Sequence, residues 1–276
     1  MRVGLKTSST RLTVKDNKST RLFGAIAGDM IGFRFEHKIC KDPRFILFKK
    51  GSTFTDDTVL TLAVADAILH QRDYREAIVE YAKRYPKAGY GSYFRHWLAN
   101  DGVEPYHSMG NGSAMRVSAV GWAFNSADQV LLEARRSAEV THNHPEGIKG
   151  AQSVALAIYL ARTGATKQEI RQEIEARFGY NLNRTLDEIR PSYRWDSTSP
   201  GSVPESFTAF FESNDFESAV RNAVLLGGDA DTMAAIAGSI AEAYYGGVPE
   251  EFAQEVQRRL PPDLWAVVEE FGKKFS

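Results

Sequence analysis

The chain of 276 residues reads as a single all-α domain. Two observations lead there. Strict alternation of apolar and polar side chains, the mark of a half-buried strand, is almost absent. In its place stand successive segments with helical spacing, several opened by residues that suit helix starts. The length suffices to bury a large core, and no linker, low-complexity tract or fixed-period repeat divides it.

In chain order, Ser19 or Thr20 is expected to cap a helix running to about Ile31. Within it Gly24, Gly28 and Gly32 fall at steps of four and clear one face for close backbone approach. Asp29 on the same segment argues against a membrane dimer motif. Residues 33–54 read as irregular, with a short extended piece at Phe45 to Phe48. Helices are expected at 57–70, 73–84, 91–99, 113–123, 127–140, 146–162 and 166–177. Five more are expected at 203–212, 215–226, 231–245, 249–258 and 262–272. Asp128, Thr166, Pro249 and Pro262 sit near these starts. The polar, proline-bearing stretch from Gly179 to Ser202 reads as a long surface excursion.

Composition narrows the function classes. Hydrophobic content of 43% and charged content of 25% are ordinary for a soluble globular protein. A formal net charge of −1 exerts no global pull toward nucleic acid or anionic membrane. The one cysteine, Cys40, excludes an intrachain disulfide framework and a multi-cysteine zinc site, and fits a reducing cytoplasm. No apolar run is long enough for a transmembrane helix, and no signal-peptide apolar region follows the N-terminus. The basic, Ser/Thr-rich residues 1–21 resemble a transit peptide in composition but lack amphipathic patterning. A solvated tail over 1–18, followed by one domain over 19–276, is the expectation.

The chemistry concentrates at two acid-rich helix starts. One is Thr55-Asp56-Asp57-Thr58, followed by Val59, Leu60 and Leu62. The other is Gly227-Gly228-Asp229-Ala230-Asp231-Thr232, followed by Ala234, Ala235 and Ile236. Either could be a helix cap, since acids and hydroxyls there accept orphan N–H bonds and complement the helix dipole. If the two segments meet, Asp56, Asp57, Asp229 and Asp231 would repel by about 4 kcal/mol per close pair at an effective dielectric near 20. Glu36 would make five charges, which two divalent cations nearly balance. Hard oxygen ligands suit Mg²⁺ or Mn²⁺ better than zinc.

Between the two starts lies Ser108-Met109-Gly110-Asn111-Gly112-Ser113-Ala114-Met115-Arg116, a glycine-rich turn entering a helix and able to hold a phosphate or carboxylate. An ordinary Asn-Gly turn has the same appearance. Thr141-His142-Asn143-His144 follows, without the His-Glu-x-x-His spacing or cysteines that would support zinc. A ligand-facing loop or a turn histidine fits better.

The order of these motifs carries a resemblance. Gly24 to Asp29 with Glu36, then Phe54 to Thr58, then Gly110 to Arg116, then Thr141-His142, then Gly227 to Thr232 closely resembles the ADP-ribosylglycohydrolase family. The likeness spans roughly residues 20 to 250, and its relatives include dinitrogenase reductase-activating glycohydrolase and the ADP-ribosylarginine hydrolases. Ser202-Val203-Pro204 also fits the family's pattern. The resemblance implies a compact, single-domain orthogonal helical fold around a two-metal centre of Mg²⁺ or Mn²⁺. By matching positions, Thr55, Asp56, Asp57, Asp229, Asp231 and Thr232 would be metal ligands. Glu36 matches an acid near the metals on a mobile segment in relatives. Asn111, Gly112 and Ser113 would lie near ribose and phosphates, and His142 near the nucleotide portion. Met109 stands where some relatives carry an aromatic side chain.

The expected reaction is hydrolysis of an ADP-ribosyl bond at the anomeric carbon of the distal ribose, with Asp56 or Glu36 accepting the proton of water. Two rivals stand beside it: a non-catalytic ADP-ribose-binding module, and a dimetal phosphohydrolase. The intact acidic set argues against the first; release of phosphate or AMP would favour the second. The expected partner is an ADP-ribosylated protein or small molecule, with nucleic acid entering only as a modified substrate. A monomer is expected. Arginine, serine, acetyl ester and nucleobase all remain open as leaving groups. Tyr90, Tyr106, Tyr193 and Trp195 are candidates for the cavity mouth, with plain surface packing as the simpler reading.

Overall fold

A computed structural model describes residues 21–275. Among them are fifteen α-helices, and the only β contact is an isolated antiparallel bridge between Gly110 and Thr198. The first half comprises α1 (Phe23–Gly32), α2 (Asp56–His70), α3 (Tyr74–Arg84), α4 (Ser92–Ala99), α5 (Gly112–Met115), α6 (Ser118–Ala123) and α7 (Ala127–Glu139). The second comprises α8 (Pro145–Arg162), α9 (Lys167–Phe178), α10 (Leu186–Ile189), α11 (Ser199–Phe211), α12 (Phe216–Leu226), α13 (Ala230–Tyr245), α14 (Glu250–Arg259) and α15 (Pro262–Lys274).

The centre of the molecule is α13. Every residue from Ala230 to Ala243 is buried, as suits a helix apolar on all faces. Helices α1, α8, α11 and α12 pack around it. The glycine ladder explains its pairing with α1: a Cβ on Gly24, Gly28 or Gly32 would stand 2.3, 2.2 and 2.3 Å from the carbonyl oxygens of Gly238, Ala234 and Ala230. Backbone therefore lies on backbone along the whole crossing. This close approach carries Asp29 of α1 to the start of α2.

The N-terminus of α1 is capped from a distance. Leu22, at φ 74°, supplies no side-chain cap. Glu242 of α13 instead accepts from the Phe23 and Gly24 amides at 3.2 and 3.0 Å. The caps expected from Ser19 or Thr20, and the tail over 1–18, lie outside the described residues.

Several boundaries differ from expectation for identifiable reasons. The helix expected over 113–123 is two: Arg116 and Val117 sit near φ −95° and −85° with ψ close to zero, which breaks the run and turns Arg116 inward. Helix α11 begins at Ser199, ahead of the expected 203, because Thr198 caps the Gly201 amide and Pro204 lies inside the helix. Ser126 caps α7, leaving Asp128 in its first turn. Thr166 caps α9 through a capping box, as expected.

The extended piece at Phe45 to Phe48 is not a strand, since no neighbouring strand offers a ladder. Arg221 pins it instead, donating to the Phe45 carbonyl at 2.8 Å and lying over the Phe45 ring. The excursion from Gly179 to Ser202 is less superficial than expected: Leu182, Leu186 and Ile189 are buried, and its end crosses the glycine-rich turn.

Candidate active site

The two acidic helix starts meet. Thr232 Oγ1, in the first turn of α13, donates to Asp57 Oδ2 of α2 at 3.3 Å. Glu36, just past a 3₁₀ turn at Phe33–Phe35, completes a group with Asp229 and Asp231 whose ligand oxygens all lie within 4.8 Å of one another. A cavity of about 570 Å³ contains Glu36, Thr55, Asp56, Asp57, Asp229, Asp231 and Thr232 in its wall, and Asn111, Gly112 and His142 as well. A larger cavity, about 690 Å³, lies beside the C-terminal end of α2 and the ends of α7 and α15. Of its charges Arg136 pairs with Glu133, and Arg72 with Asp66 outside the lining, and it gathers no comparable set of converging acids.

Asp29 organises the first acidic segment and was not singled out as a site residue from the sequence. Fully buried, it accepts from the Thr55 amide and hydroxyl at 2.8 Å each, and from the Thr58 amide and hydroxyl at 3.1 and 2.5 Å. A lone acid in an otherwise apolar, glycine-laddered helix was the available signal. On the second segment, Asn111 Nδ2 donates to Asp229 Oδ2 at 2.8 Å and to Ser202 Oγ at 3.1 Å. The turn bearing Asn111 is tied to the following excursion by Asn111 N to Ser197 O at 2.8 Å and Ser199 N to Met109 O at 2.9 Å.

The remaining predicted residues divide. His142 is 5% exposed and faces the cavity across Gly110 and Gly112. Ser113 is fully buried, donates to the Gly147 carbonyl at 2.8 Å, and lines no part of the cavity. Its hydroxyl fastens α5 to α8. Tyr106 and Trp195 line the cavity, whereas Tyr90 is buried against Phe94 and Tyr193 packs against Gly228.

Burial raises the pKa of every acid in the cluster, and the neighbouring carboxylates raise most of them further. Asp56 is pushed up to about 7 by burial, with Asp29 and Asp229 adding to it. Asp29 reaches about 6 despite its four donors, because burial outweighs them. Asp57 and Asp231 are held well above the usual carboxylate range by burial and then by neighbouring acids. Asp229 is also raised by burial, against the donation from Asn111. Glu36, half-buried, rises for the same first cause.

This arrangement has the features of a cation site. Among the described residues no lysine or arginine pairs with Asp56, Asp57, Asp229 or Asp231. Asp57 Oδ1 is buried with no hydrogen-bond partner. Carboxylate and hydroxyl oxygens without nitrogen or sulfur donors suit hard divalent cations.

Comparison with known proteins agrees with the geometry. Residues 13–276 match the ADP-ribosylglycohydrolase family. The chain is 27% identical over 323 aligned residues to ADP-ribosylhydrolase ARH3 of Gallus gallus, covering 86% of this chain and 88% of that one. It is 26% identical to ADP-ribosylarginine hydrolase Tri1 of Pseudomonas putida (strain GB-1), covering 87% and 74% respectively. A solved structure titled ADP-ribosylglycohydrolase-related protein complex shares the fold, with a TM-score of 0.67 at 24% identity over 95% of this chain and all of that chain. An all-helical chain whose acids gather at two helix starts, matched over nearly its full length, belongs to the ADP-ribosylglycohydrolase family of glycosidic-bond hydrolases.

Proposed function

We propose that this enzyme removes ADP-ribose from a modified target by hydrolysing the bond at the anomeric carbon of the distal ribose. The observation that carries this reading is the meeting of two acidic helix starts, far apart in sequence, at one cavity. Thr55, Asp56, Asp57, Asp229, Asp231 and Thr232 would hold two divalent cations, Mg²⁺ or Mn²⁺, with Glu36 beside them. Such cations, when bound, supply Lewis acidity to sugar oxygens and to water.

The chain's own residues do the rest. Asp29 fixes Thr55 and Thr58, so the start of α2 is positioned before substrate arrives. Asn111 holds one oxygen of Asp229 and thereby its orientation. As the bond breaks, the leaving group departs with the bonding pair and takes up a proton, the anomeric carbon gains oxocarbenium character, and a water oxygen adds to it. Asp56 or Glu36 takes the proton of that water. Both line the cavity beside the proposed cation ligands, where a carboxylate can accept that proton.

Relatives named for ADP-ribosylarginine and for ADP-ribosyl hydrolysis are similarly distant, so the leaving group is a matter for assay. The test is a panel of substrates carrying ADP-ribose on arginine, serine, an acetyl ester and a nucleobase, each with and without Mg²⁺ or Mn²⁺. Release of intact ADP-ribose in the presence of cation is expected for at least one linkage. Binding without release, or phosphate or AMP as the product, would overturn the proposal.

A further inference from the structure

Behind the cavity wall lies a guanidinium that the hydrolytic machinery does not use. Arg116 is fully buried, makes no ion pair among the described residues, and leaves Nε and Nη1 without partners. Its Nη2 donates to the Ser137 carbonyl at 2.9 Å and to Thr141 Oγ1 at 3.0 Å. Thr141 Oγ1 in turn lies 2.7 Å from His142 Nδ1. We propose that Arg116 and Thr141 form a relay that fixes His142 as a neutral ring with its proton on Nε2, so that this end of the cavity selects a hydrogen-bond acceptor.

One bond of the relay has a fixed direction, and the other is set by the tautomer proposed. A guanidinium only donates, so the Thr141 oxygen accepts on that side. A hydroxyl has a single proton to give, and in the proposed relay His142 Nδ1, 2.7 Å away, takes it. A ring that accepts at Nδ1 and is neutral carries its proton at Nε2. Burial, reinforced by the Arg116 charge, holds His142 well below its ordinary pKa and opposes a second proton. The backbone holds the residue in place, since the His142 amide donates to the Ala138 carbonyl at 2.7 Å.

The free end of the ring is turned to the cavity. Nε2 has no protein partner among the described residues, and His142 lines the cavity. The space in front of it is kept by glycines: a Cβ on Gly112 would come 3.1 Å from Nε2, and one on Gly110 would come 3.4 Å from it. A donor backed by an uncompensated buried cation favours an oxygen bearing negative charge, such as a phosphate oxygen, or a sugar oxygen. That this oxygen belongs to ADP-ribose rests on the proposed function; the relay itself does not. The cavity is thus polarised, with acids at one end and a fixed donor over a positive charge at the other. Arg116 and Thr141 are positioning residues in this scheme, and His142 is the residue that touches the ligand.

Tyr106 provides the counter-case. Its ring centroid lies 5.9 Å from that of His142 and it interacts with Thr141. If Thr141 gave its proton to Tyr106, His142 would carry hydrogen at Nδ1 and present a bare Nε2. Nitrogen-15 NMR of the histidine-labelled protein separates the two, because the tautomers have opposite Nδ1 and Nε2 shifts. The expected spectrum shows His142 protonated at Nε2 and still neutral below its ordinary pKa of 6.5. Thr141→Val should mix the tautomers and weaken ADP-ribose binding, read by calorimetry, about tenfold or more, as expected for losing a fixed donor to a charged acceptor. Thr141→Ser should restore both. A ring protonated at Nδ1 in the unmodified protein, or a Thr141→Val variant with unchanged tautomer and affinity, overturns the relay. Failure of the unmodified protein to bind ADP-ribose overturns the proposed function, while the spectrum still decides the relay.

Discussion

Removing divalent cations should make the fold lose stability as pH rises, and restoring them should reverse the trend. Asp56 has an ordinary pKa of 3.8 and a folded-state value of about 7; Asp29 moves from 3.8 to about 6. Both are raised, so the folded protein binds protons that the unfolded chain has already released. Their stabilising effect is complete below about pH 4 and is lost as pH climbs through 6 and 7. At about 1.4 kcal/mol per pKa unit, Asp56 alone accounts for on the order of 4 kcal/mol across that window. Asp29 and Asp56 interact, so their contributions do not add in full. For a protein of this size roughly 2–4 °C of Tm accompanies each kcal/mol, which puts the expected fall near 10 °C.

A cation that binds only the folded state at a thousand times its Kd restores about 4 kcal/mol, and it binds better as the carboxyls deprotonate. The assay is thermal unfolding from about pH 5 to about pH 8, in chelator and in saturating Mn²⁺. The two curves should nearly coincide at the acid end and separate steadily toward pH 8. Two groups outside the cluster define the background. Glu242, raised to about 8 by burial, adds a slope of the same sign. His142, depressed by burial, destabilises the fold as pH falls below its ordinary 6.5 and so opposes it. Neither is among the acids at the cation site, so the gap between the curves isolates the cluster. A cation effect as large at pH 5 as at pH 8, or none at either, would refute the reasoning.

Replacing Asp57 or Asp231 with Asn should abolish turnover by weakening cation binding, and full activity of either variant at limiting metal would sink the ligand assignment. Gly28→Ala should cost about 3 kcal/mol, the upper end of ordinary overpacking, because the new methyl would meet the Ala234 backbone 2.2 Å away and not a movable side chain; denaturant unfolding gives the figure directly. Glu242→Ala leaves the Phe23 and Gly24 amides unsatisfied inside the core and should cost on the order of 3 kcal/mol. Glu242→Gln should cost less and flatten the pH dependence of Tm near 8, which a comparison of the two melting profiles would show.

What was legible in the sequence was local. Helical spacing and terminal residues located nearly every helix, since caps and periodicity act over a few positions. Asp56, Asp57, Asp229 and Asp231 stood out because they sit at helix starts, where a cap and a ligand have the same composition. Asp29 was less legible: its partners Thr55 and Thr58 lie a helix and a loop away, and nothing near it in sequence marks the contact. Ser113 was hard to read for the opposite reason. It belongs to the glycine-rich turn, yet its hydroxyl points back to Gly147 on α8, a direction that only tertiary packing decides. The relay through Arg116 was hidden in the same way. The break between α5 and α6 turns that side chain inward, and helical spacing over 113–123 ran straight through it.

The ambiguity between cap and ligand resolves once the hydrogen bonds are followed. Helix α2 is capped by Thr55, whose oxygen accepts from the Asp57 amide at 3.2 Å while its proton goes to Asp29. Neither Asp56 nor Asp57 is needed for that cap, and one oxygen of Asp57 is left with no partner at all. At α13, Asp229 occupies the cap position without making a side-chain cap bond; its Oδ2 is engaged by Asn111. The acids are therefore surplus to what helix termination requires. Burying surplus carboxylates together is costly, and the positive ends of two helix dipoles offset only about a kcal/mol or so each. A fold that keeps them there, with Asp29 behind them as a buried scaffold, can relieve that cost by protonation, as the raised pKa values show, or by divalent cations, which the oxygen donors suit and the proposed function calls for.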